Sequence, residues 1–266
     1  SCKFMNVKKV LKGLEILPDK EEARHLKNET DNFLEVLKRR ILKSKIDADV
    51  FVGGSYAKGT AAKSEEYDVD IFIRFDWKYE DLSGELENIL KIVSKEMNCQ
   101  IKKLHGSRDY FRIEKSEKLT FEIIPVLRIK KVHEGRNVTD LSYFHVSYVR
   151  KRAKGEIKKE IALAKIFCKA QGVYGAESYI NGFSGYGLEC LIIHYKSFEK
   201  MLREIVKVKE RFVIDTEKRY KKKNDVFIEL NESKIHSPVI LIDPTWKERN
   251  VLAALNWETF RKFQSA

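Results

Sequence analysis

Asp68 and Asp70 are the residues best placed to do chemistry, because they stand one residue apart at the head of an apolar, β-branched run, Val69 to Phe75. In an extended strand alternate side chains share a face, so the two carboxylates project together. Like charges that close repel, and burying either one unpaired is unfavourable. A hard divalent cation such as Mg²⁺, which takes a few carboxylates with phosphate and water oxygens, removes the conflict. Twelve residues separate Asp68 from Ser55 in the stretch Phe51-Val52-Gly53-Gly54-Ser55-Tyr56-Ala57-Lys58-Gly59-Thr60. There an apolar pair runs into a Gly-Gly-Ser turn whose unobstructed N–H groups, at a helix start, suit a phosphate. The Asp-x-Asp alone fits two aspartates on a wet strand face equally well. It is the turn upstream that points to metal and phosphate.

Such a site needs a third acid from a neighbouring strand. Glu122, alone among apolar neighbours in Phe121-Glu122-Ile123-Ile124-Pro125-Val126, can supply it. Read without the turn, Glu122 is an outward-facing residue of a half-buried strand. The apolar residue, Gly-Gly-Ser, the gap and the Asp-x-Asp together resemble the signature of the DNA-polymerase-β-like nucleotidyltransferase superfamily. That resemblance implies an α+β fold whose palm is a mixed sheet backed by helices on one face and carrying acids on the other. It also implies Asp68, Asp70 and Glu122 as catalytic ligands of two Mg²⁺ ions. Many members carry Asp at the third position, so Glu122 has the longer reach.

The elements that must position these residues follow from pattern. Pro18-Asp19 opens a helix with a capping side chain and an acidic first turn. Its apolar face is Ala23, Leu26, Phe33, Leu34, Leu37, Ile41 and Leu42. Residues 49–53 read as the strand entering the turn, about 54–62 as a short helix and 68–75 as the metal strand. Leu82, Leu86, Ile89, Leu90, Val93 and Met97 mark a helix packed on the sheet. Residues 99–105, 109–115 and 118–129 read as strands. From about 139 the pattern turns helical, with a basic segment, Arg150-Lys151-Arg152 onward, entering an apolar helix that ends near Lys169. This segment is either a solvated helix start or a rail for phosphates. Gly182 to Glu189 caps another buried helix, and Val239 to Asp243 is a strand stopped by Pro244. Lys247-Glu248-Arg249-Asn250-Val251 then leads a short helix marked by Leu252, Leu255, Trp257 and Phe260.

Composition bounds the partners. Lys and Arg number 52 against 40 Asp and Glu, a net charge of +12 that favours a polyanion such as nucleic acid, or an acidic membrane surface. The densest positive stretch is Lys218-Arg219-Tyr220-Lys221-Lys222-Lys223, readable as a disordered basic loop or as an RNA-backbone contact. Cys2, Cys99, Cys168 and Cys190 are far apart and form no C-x-x-C, so neither a zinc site nor a disulfide framework is expected. No apolar run approaches membrane-spanning length and the N-terminus has no signal-like core, which fits a cytoplasmic setting.

Further segments extend the resemblance. Gly172-Val173-Tyr174-Gly175-Ala176-Glu177, Gly182-Phe183-Ser184-Gly185-Tyr186, and Ile242-Asp243-Pro244 with Lys247-Glu248-Arg249-Asn250-Val251 look, with the Gly-Gly-Ser turn, like the archaeal, class I, CCA-adding tRNA nucleotidyltransferase family. Over residues 20–265 this implies a palm domain at 1–135, a helical central domain at 136–205 and a small α/β body domain at 206–266. The family's tail domain is expected to be missing. The resemblance implies Gly54, Ser55 and Lys58 on the triphosphate, and His145, Lys169, Ser178 and Arg249 near the incoming nucleotide. Arg150, Lys151, Arg152, Lys218, Arg219, Lys221 and Lys222 are the expected RNA contacts. Lys58 stands where the family has Arg, which keeps charge and loses bidentate geometry. Ser178 stands where a nucleotide-contacting Tyr is expected. The implied activity is template-independent addition of C and A from CTP and ATP to a tRNA 3′ end. Its rivals are a related 3′-tailing or oligoadenylate-synthesising enzyme and a non-catalytic RNA-binding module. A homodimer, or a partner chain supplying the tail, is compatible with the family.

Overall fold

The computed structural model describes residue 13 and residues 15–266, apart from the side chain of Lys223. The chain divides into two compact units, Pro18–Arg150 and a second that contains Lys151–Ala266.

In the first unit α1 (Lys20–Lys43) begins where Asp19 accepts the backbone N–H groups of Glu21 and Glu22, while Glu22 accepts that of Asp19. Leu26, Phe33, Leu37 and Ile41 are buried, and Phe33 stacks on Phe121 with ring centroids 4.5 Å apart. The apolar stripe is narrower than its sequence pattern, since Ala23 and Leu42 are exposed. Leu42 follows buried Ile41 by one residue, a rotation of about 100° that carries it off the stripe.

Five strands form the sheet in the order β1-β2-β5-β4-β3. They are β1 (Ala48–Val52), β2 (Tyr67–Phe75), β3 (Ile101–Leu104), β4 (Tyr110–Ser116) and β5 (Leu119–Leu127). Only β2 and β5 run parallel; the other neighbours are antiparallel. Tyr67, Val69, Ile71, Ile73 and Phe75 of β2 are all buried on one face, beside Leu119, Phe121 and Ile123 of β5. The Phe33–Phe121 stack shows that α1 covers this face, and α3 (Leu82–Met97) packs beside α1. The opposite face carries Asp68, Asp70, Phe72 and Arg74, registered with Thr120, Glu122, Ile124 and Val126. It is apolar at one end, where Phe72, Ile124 and Val126 cluster with Phe51 and Tyr110, and acidic at the other. Helices behind and acids in front is the arrangement the sequence implied.

The short helix α2 (Gly54–Lys58) stops earlier than the expected 62, because Gly59 adopts a left-handed conformation (φ 67°). The first unit ends within α4 (Ser142–Arg152), at Arg150.

The second unit contains α5 (Glu156–Ala170), α6 (Gly185–Tyr195) and α7 (Phe198–Ile205). A buried ion pair, Lys165 to Glu189 at 2.7 Å, ties α5 to α6. Two short parallel strands, β6 (Phe212–Ile214) and β7 (Val239–Leu241), sit with α8 (Lys223–Glu229). The helix expected after Lys247 starts later, as α9 (Trp257–Ser265), capped by the Asn256 side chain on Thr259 N–H. The intervening chain instead folds back on β7. Val251 N–H donates to Leu241 O at 2.8 Å, and Asn250 Oδ1 accepts from Leu241 and Leu252 N–H. These tertiary hydrogen bonds outweigh a modest helix propensity.

Candidate active site

The Gly-Gly turn is built against Asp70. Gly53 N–H donates to Asp70 O at 2.8 Å, joining the end of β1 to β2. Gly54 has φ +58°, and a Cβ there would overlap Asp70 Oδ2 and lie 3.1 Å from Asp70 Cβ. A Cβ on Gly53 would overlap the Phe72 ring and lie 3.5 Å from Phe51 Cε2. Both glycines are therefore required by close approach, and Gly54 by its backbone angle as well. Ser55 follows in α2, where Thr60 N–H donates to its carbonyl at 2.9 Å. Lys58, in the last turn of α2, is buried.

The three acids share a face. Asp70 and Glu122 are register partners across the parallel β2–β5 ladder, and Asp68 pairs with Thr120 two residues earlier. Paired residues of adjacent strands point to the same side. Asp68 is exposed, whereas Asp70 and Glu122 are half-buried. They border a cavity of about 240 Å³ lined in part by Asp70, Tyr110, Glu122, Arg108 and Thr139.

Three further groups shape this site without having been singled out in the sequence. Arg112 of β4, the register partner of Glu122, donates from Nη2 to Glu122 Oε1 at 2.7 Å. That hydrogen bond raises the Arg112 pKa, with the Glu122 and Asp68 charges adding to it against burial. Tyr110 lies two residues earlier on the same face, and its phenol is pushed up by burial and then by Glu122, with Asp68 and Asp70 adding. Asp140, fully buried, accepts from Arg108 Nη1 (2.7 Å) and from the N–H groups of Leu127, Arg136 and Asn137. Arg108 Nη1 also donates to Pro125 O at 3.0 Å, so this pair fixes the far end of β5. The alternation Tyr110, Arg112, Glu114 in β4 was the available signal for the first two. The pairing of Arg108 with Asp140 left none, since 31 residues lie between them.

A divalent cation suits this frame in part. The acids are hard oxygen donors on one face, and the glycine turn leaves Asp70 Oδ2 uncovered by any side chain at 54. Among the described residues, however, no three His, Cys, Asp or Glu side chains stand in ligating geometry. Arg112 holds the Glu122 carboxylate.

Other expected residues stand as follows. His145 is buried on α4. Arg150, at the exposed end of that helix, lines a cavity with Phe51, Tyr56 and Tyr143. Lys151 is exposed, and Arg152 donates to both oxygens of Glu217 at 2.8 Å. Lys169 lies over the Tyr174 ring at 5.3 Å. Ser178 occupies an exposed turn whose carbonyl accepts from Asn181 Nδ2. Arg249 is held at 2.7 Å by buried Asp243, which also accepts from Tyr186 and Thr245. The Lys218–Lys223 stretch is more structured than a free basic loop. Tyr220 packs inward against Val226, Leu230, Ile240 and Ile242, and its hydroxyl donates to Lys247 O. Arg219 donates to Pro244 O at 2.6 Å, while Lys218, Lys221 and Lys222 are exposed. Cys99, Cys168 and Cys190 are free thiols, and Cys2 lies outside the described residues.

Comparison with known proteins agrees with this architecture. A family model described as the nucleotidyltransferase domain matches residues 31–138, and one described as the second domain of tRNA nucleotidyltransferase matches residues 159–266. The CCA-adding enzyme of Nanoarchaeum equitans is 44% identical over 248 residues, covering 92% of this chain and 60% of that protein. The chain carries a nucleotidyltransferase domain followed by the second domain of tRNA nucleotidyltransferases. The CCA-adding enzyme of Thermoplasma volcanium is 31% identical over 250 residues, 94% of this chain and 52% of its own length. The chain thus spans between half and two thirds of these curated relatives. In fold it is similar to the Cid1 poly(U) polymerase (TM-score 0.70, 13% identity, 97% of this chain and 89% of that one). It is also similar to a cytoplasmic RNA terminal U-transferase (TM-score 0.68, 14% identity, 97% and 89%). Among the described residues no helix is long and apolar enough to cross a membrane.

Proposed function

We propose that this protein catalyses template-independent, metal-dependent addition of C and A from CTP and ATP to the 3′ end of tRNA. The observation that carries the proposal is the register of Asp70 with Glu122 on the face that also bears Asp68, beside a Gly-Gly-Ser turn. The similarity to CCA-adding enzymes supplies the substrate class.

In this reading the 3′-hydroxyl attacks the α-phosphorus in line and pyrophosphate leaves. Asp68, Asp70 and Glu122 would hold two Mg²⁺ ions, which when bound would supply the lowering of the hydroxyl's pKa and the neutralisation of phosphate charge. The N–H groups of Gly54 and Ser55 and the Ser55 hydroxyl orient the triphosphate, and Lys58 adds positive charge. Gly54 keeps the approach to Asp70 open. His145 faces the incoming nucleotide, and Arg150 the RNA. For the second unit, Lys169, Ser178 and Arg249 keep the nucleotide roles implied by the family, and Asp243 fixes the Arg249 guanidinium. Lys151, Lys218, Lys221 and Lys222 are its RNA contacts; Arg152 and Arg219 join them by exchanging their present partners. The division of that unit at residue 205 into a central and a body part belongs to the same proposal.

The test is incorporation of labelled CTP and ATP, separately and together, into tRNA that lacks its terminal triplet. Ordered addition of two C and one A supports the proposal. Multi-residue tails from ATP or UTP alone would replace it with a tailing activity. RNA binding without incorporation would leave only a binding module.

A further inference from the structure

The Arg112–Glu122 pair differs from the other ion pairs that organise this chain. Asp140 and Asp243 each gather several donors, and their arginines serve to fix loops. Glu122, by contrast, accepts a single hydrogen bond among the described residues, from Arg112 Nη2. Arg112 Nε is buried and has no acceptor there. On the arginine side the pair is incompletely satisfied, and no other hydrogen bond to the Glu122 carboxylate among the described residues is disrupted when it opens. It also lies in the one place where a cation is wanted. Arg112 shares a face with Asp68, Asp70 and Glu122, and its guanidinium occupies the carboxylate that a third metal ligand must free.

We propose that Arg112 is a positioning residue that competes with the divalent cation for Glu122. Without metal it neutralises the acidic face and holds Glu122 aside. When the cation is taken up, Glu122 exchanges its guanidinium partner for the metal. Both cations are drawn to the same carboxylate and repel one another across it, so metal loading favours release of Arg112 and loss of Arg112 favours loading. This inference rests on the metal role given to the three acids under the proposed function.

Mn²⁺ binding to the full chain, followed by the electron paramagnetic resonance of free Mn²⁺, tests it without any catalytic turnover. Arg112→Gln removes the competing charge and should tighten Mn²⁺ binding about fivefold, equivalent to about 1 kcal/mol for a partly exposed pair. Glu122→Gln should weaken binding. In the Glu122→Gln background the further change Arg112→Gln should alter the affinity by less than about twofold, since the competition acts through that carboxylate. Arg112→Lys, which keeps charge but loses the fork, should fall between wild type and Arg112→Gln, and it serves if the glutamine variant fails to fold. Unchanged or weaker Mn²⁺ binding in Arg112→Gln, with native circular dichroism, overturns the proposal. So does an undiminished gain in the Glu122→Gln background, which would reflect the general field of the charge. A wild-type chain that binds no Mn²⁺ refutes the metal reading of the site itself, an outcome distinct from a flat response to Arg112→Gln.

Discussion

Replacing Gly54 by alanine should damage catalysis far more than stability, and the two effects can be separated within this one chain. A Cβ at residue 54 overlaps the Asp70 carboxylate, and the backbone sits at φ +58°. Gly155 provides the control, for it has nearly the same angle, φ +52°, yet a Cβ there has nothing within 4 Å. A positive φ strains an L-residue at either position, by about 1–3 kcal/mol, so both substitutions carry a share of destabilisation. For a chain of this size the loss corresponds to a fall in Tm of about 2–4 °C per kcal/mol. Only Gly54→Ala must also displace Asp70, by about 1 Å or more if ordinary van der Waals separation is to be restored. A displacement of that order in a reacting constellation costs about 100-fold in rate. The assay is nucleotide incorporation into tRNA lacking its terminal triplet, run beside thermal melts of the wild type and both variants. Gly155→Ala should lose stability and keep its turnover. Gly54→Ala should lose a similar amount of stability and about two orders of magnitude in kcat. If Gly54→Ala stays within about threefold of Gly155→Ala in turnover, the close approach of the turn to Asp70 has no catalytic meaning.

Other consequences can be checked as directly. Asp68→Asn and Asp70→Asn should each abolish detectable incorporation while leaving tRNA affinity, read by filter binding, within about twofold, because the acids contribute nothing attractive to phosphates. Glu189→Leu should remove the buried carboxylate that faces the Lys165 ammonium and destabilise by about 3–5 kcal/mol in urea unfolding; adding Lys165→Met should recover much of that loss. On the acid side, Glu96 has its pKa lowered chiefly by its hydrogen bond to Arg40, with Arg39 assisting. A depressed carboxylate stabilises fully above its ordinary value of 4.5 and loses that contribution as pH falls through the depressed value. Tm should therefore hold between pH 5 and 7 and fall below about 4.5. Glu96→Gln should make that fall shallower, and an unchanged profile would show that the Arg39–Arg40–Glu96 contact is weak in solution.

Local chemistry was legible from the sequence wherever it is written in neighbouring residues. The capped start of α1, the Gly-Gly-Ser turn and the alternation that sends Asp68 and Asp70 forward each depend on residues within a few positions of one another. Glu122 was legible only through its type and surroundings, and the strand register gives it a place beside Asp70. What escaped was set by contacts distant in sequence. Arg112 looked like one more polar position on a strand, and its meaning lies in the partner opposite. The turns around Leu252–Leu255 read as the start of a helix because Asn250 had no visible reason to bond Leu241 and Leu252. Strand β6 was passed over because three residues carry too little pattern to stand out. The Lys218–Lys223 stretch hid the inward packing of Tyr220, since charge dominates composition while a single ring decides the packing.

The parallel pairing of β2 with β5 has a bearing on how such a protein can change over time. Forty-three residues intervene between Phe75 and Leu119, and although β4 among them pairs with β5 on its other side, it is the ladder with β2 that sets Glu122 level with Asp70. Insertions and deletions in the connections of that excursion are therefore neutral toward the acids, whereas a one-step slip of β5 along β2 turns Glu122 to the helix-covered side and silences the site at a stroke. Length variation among kin should accordingly collect around residues 98–109, and both flanking strands should keep their length.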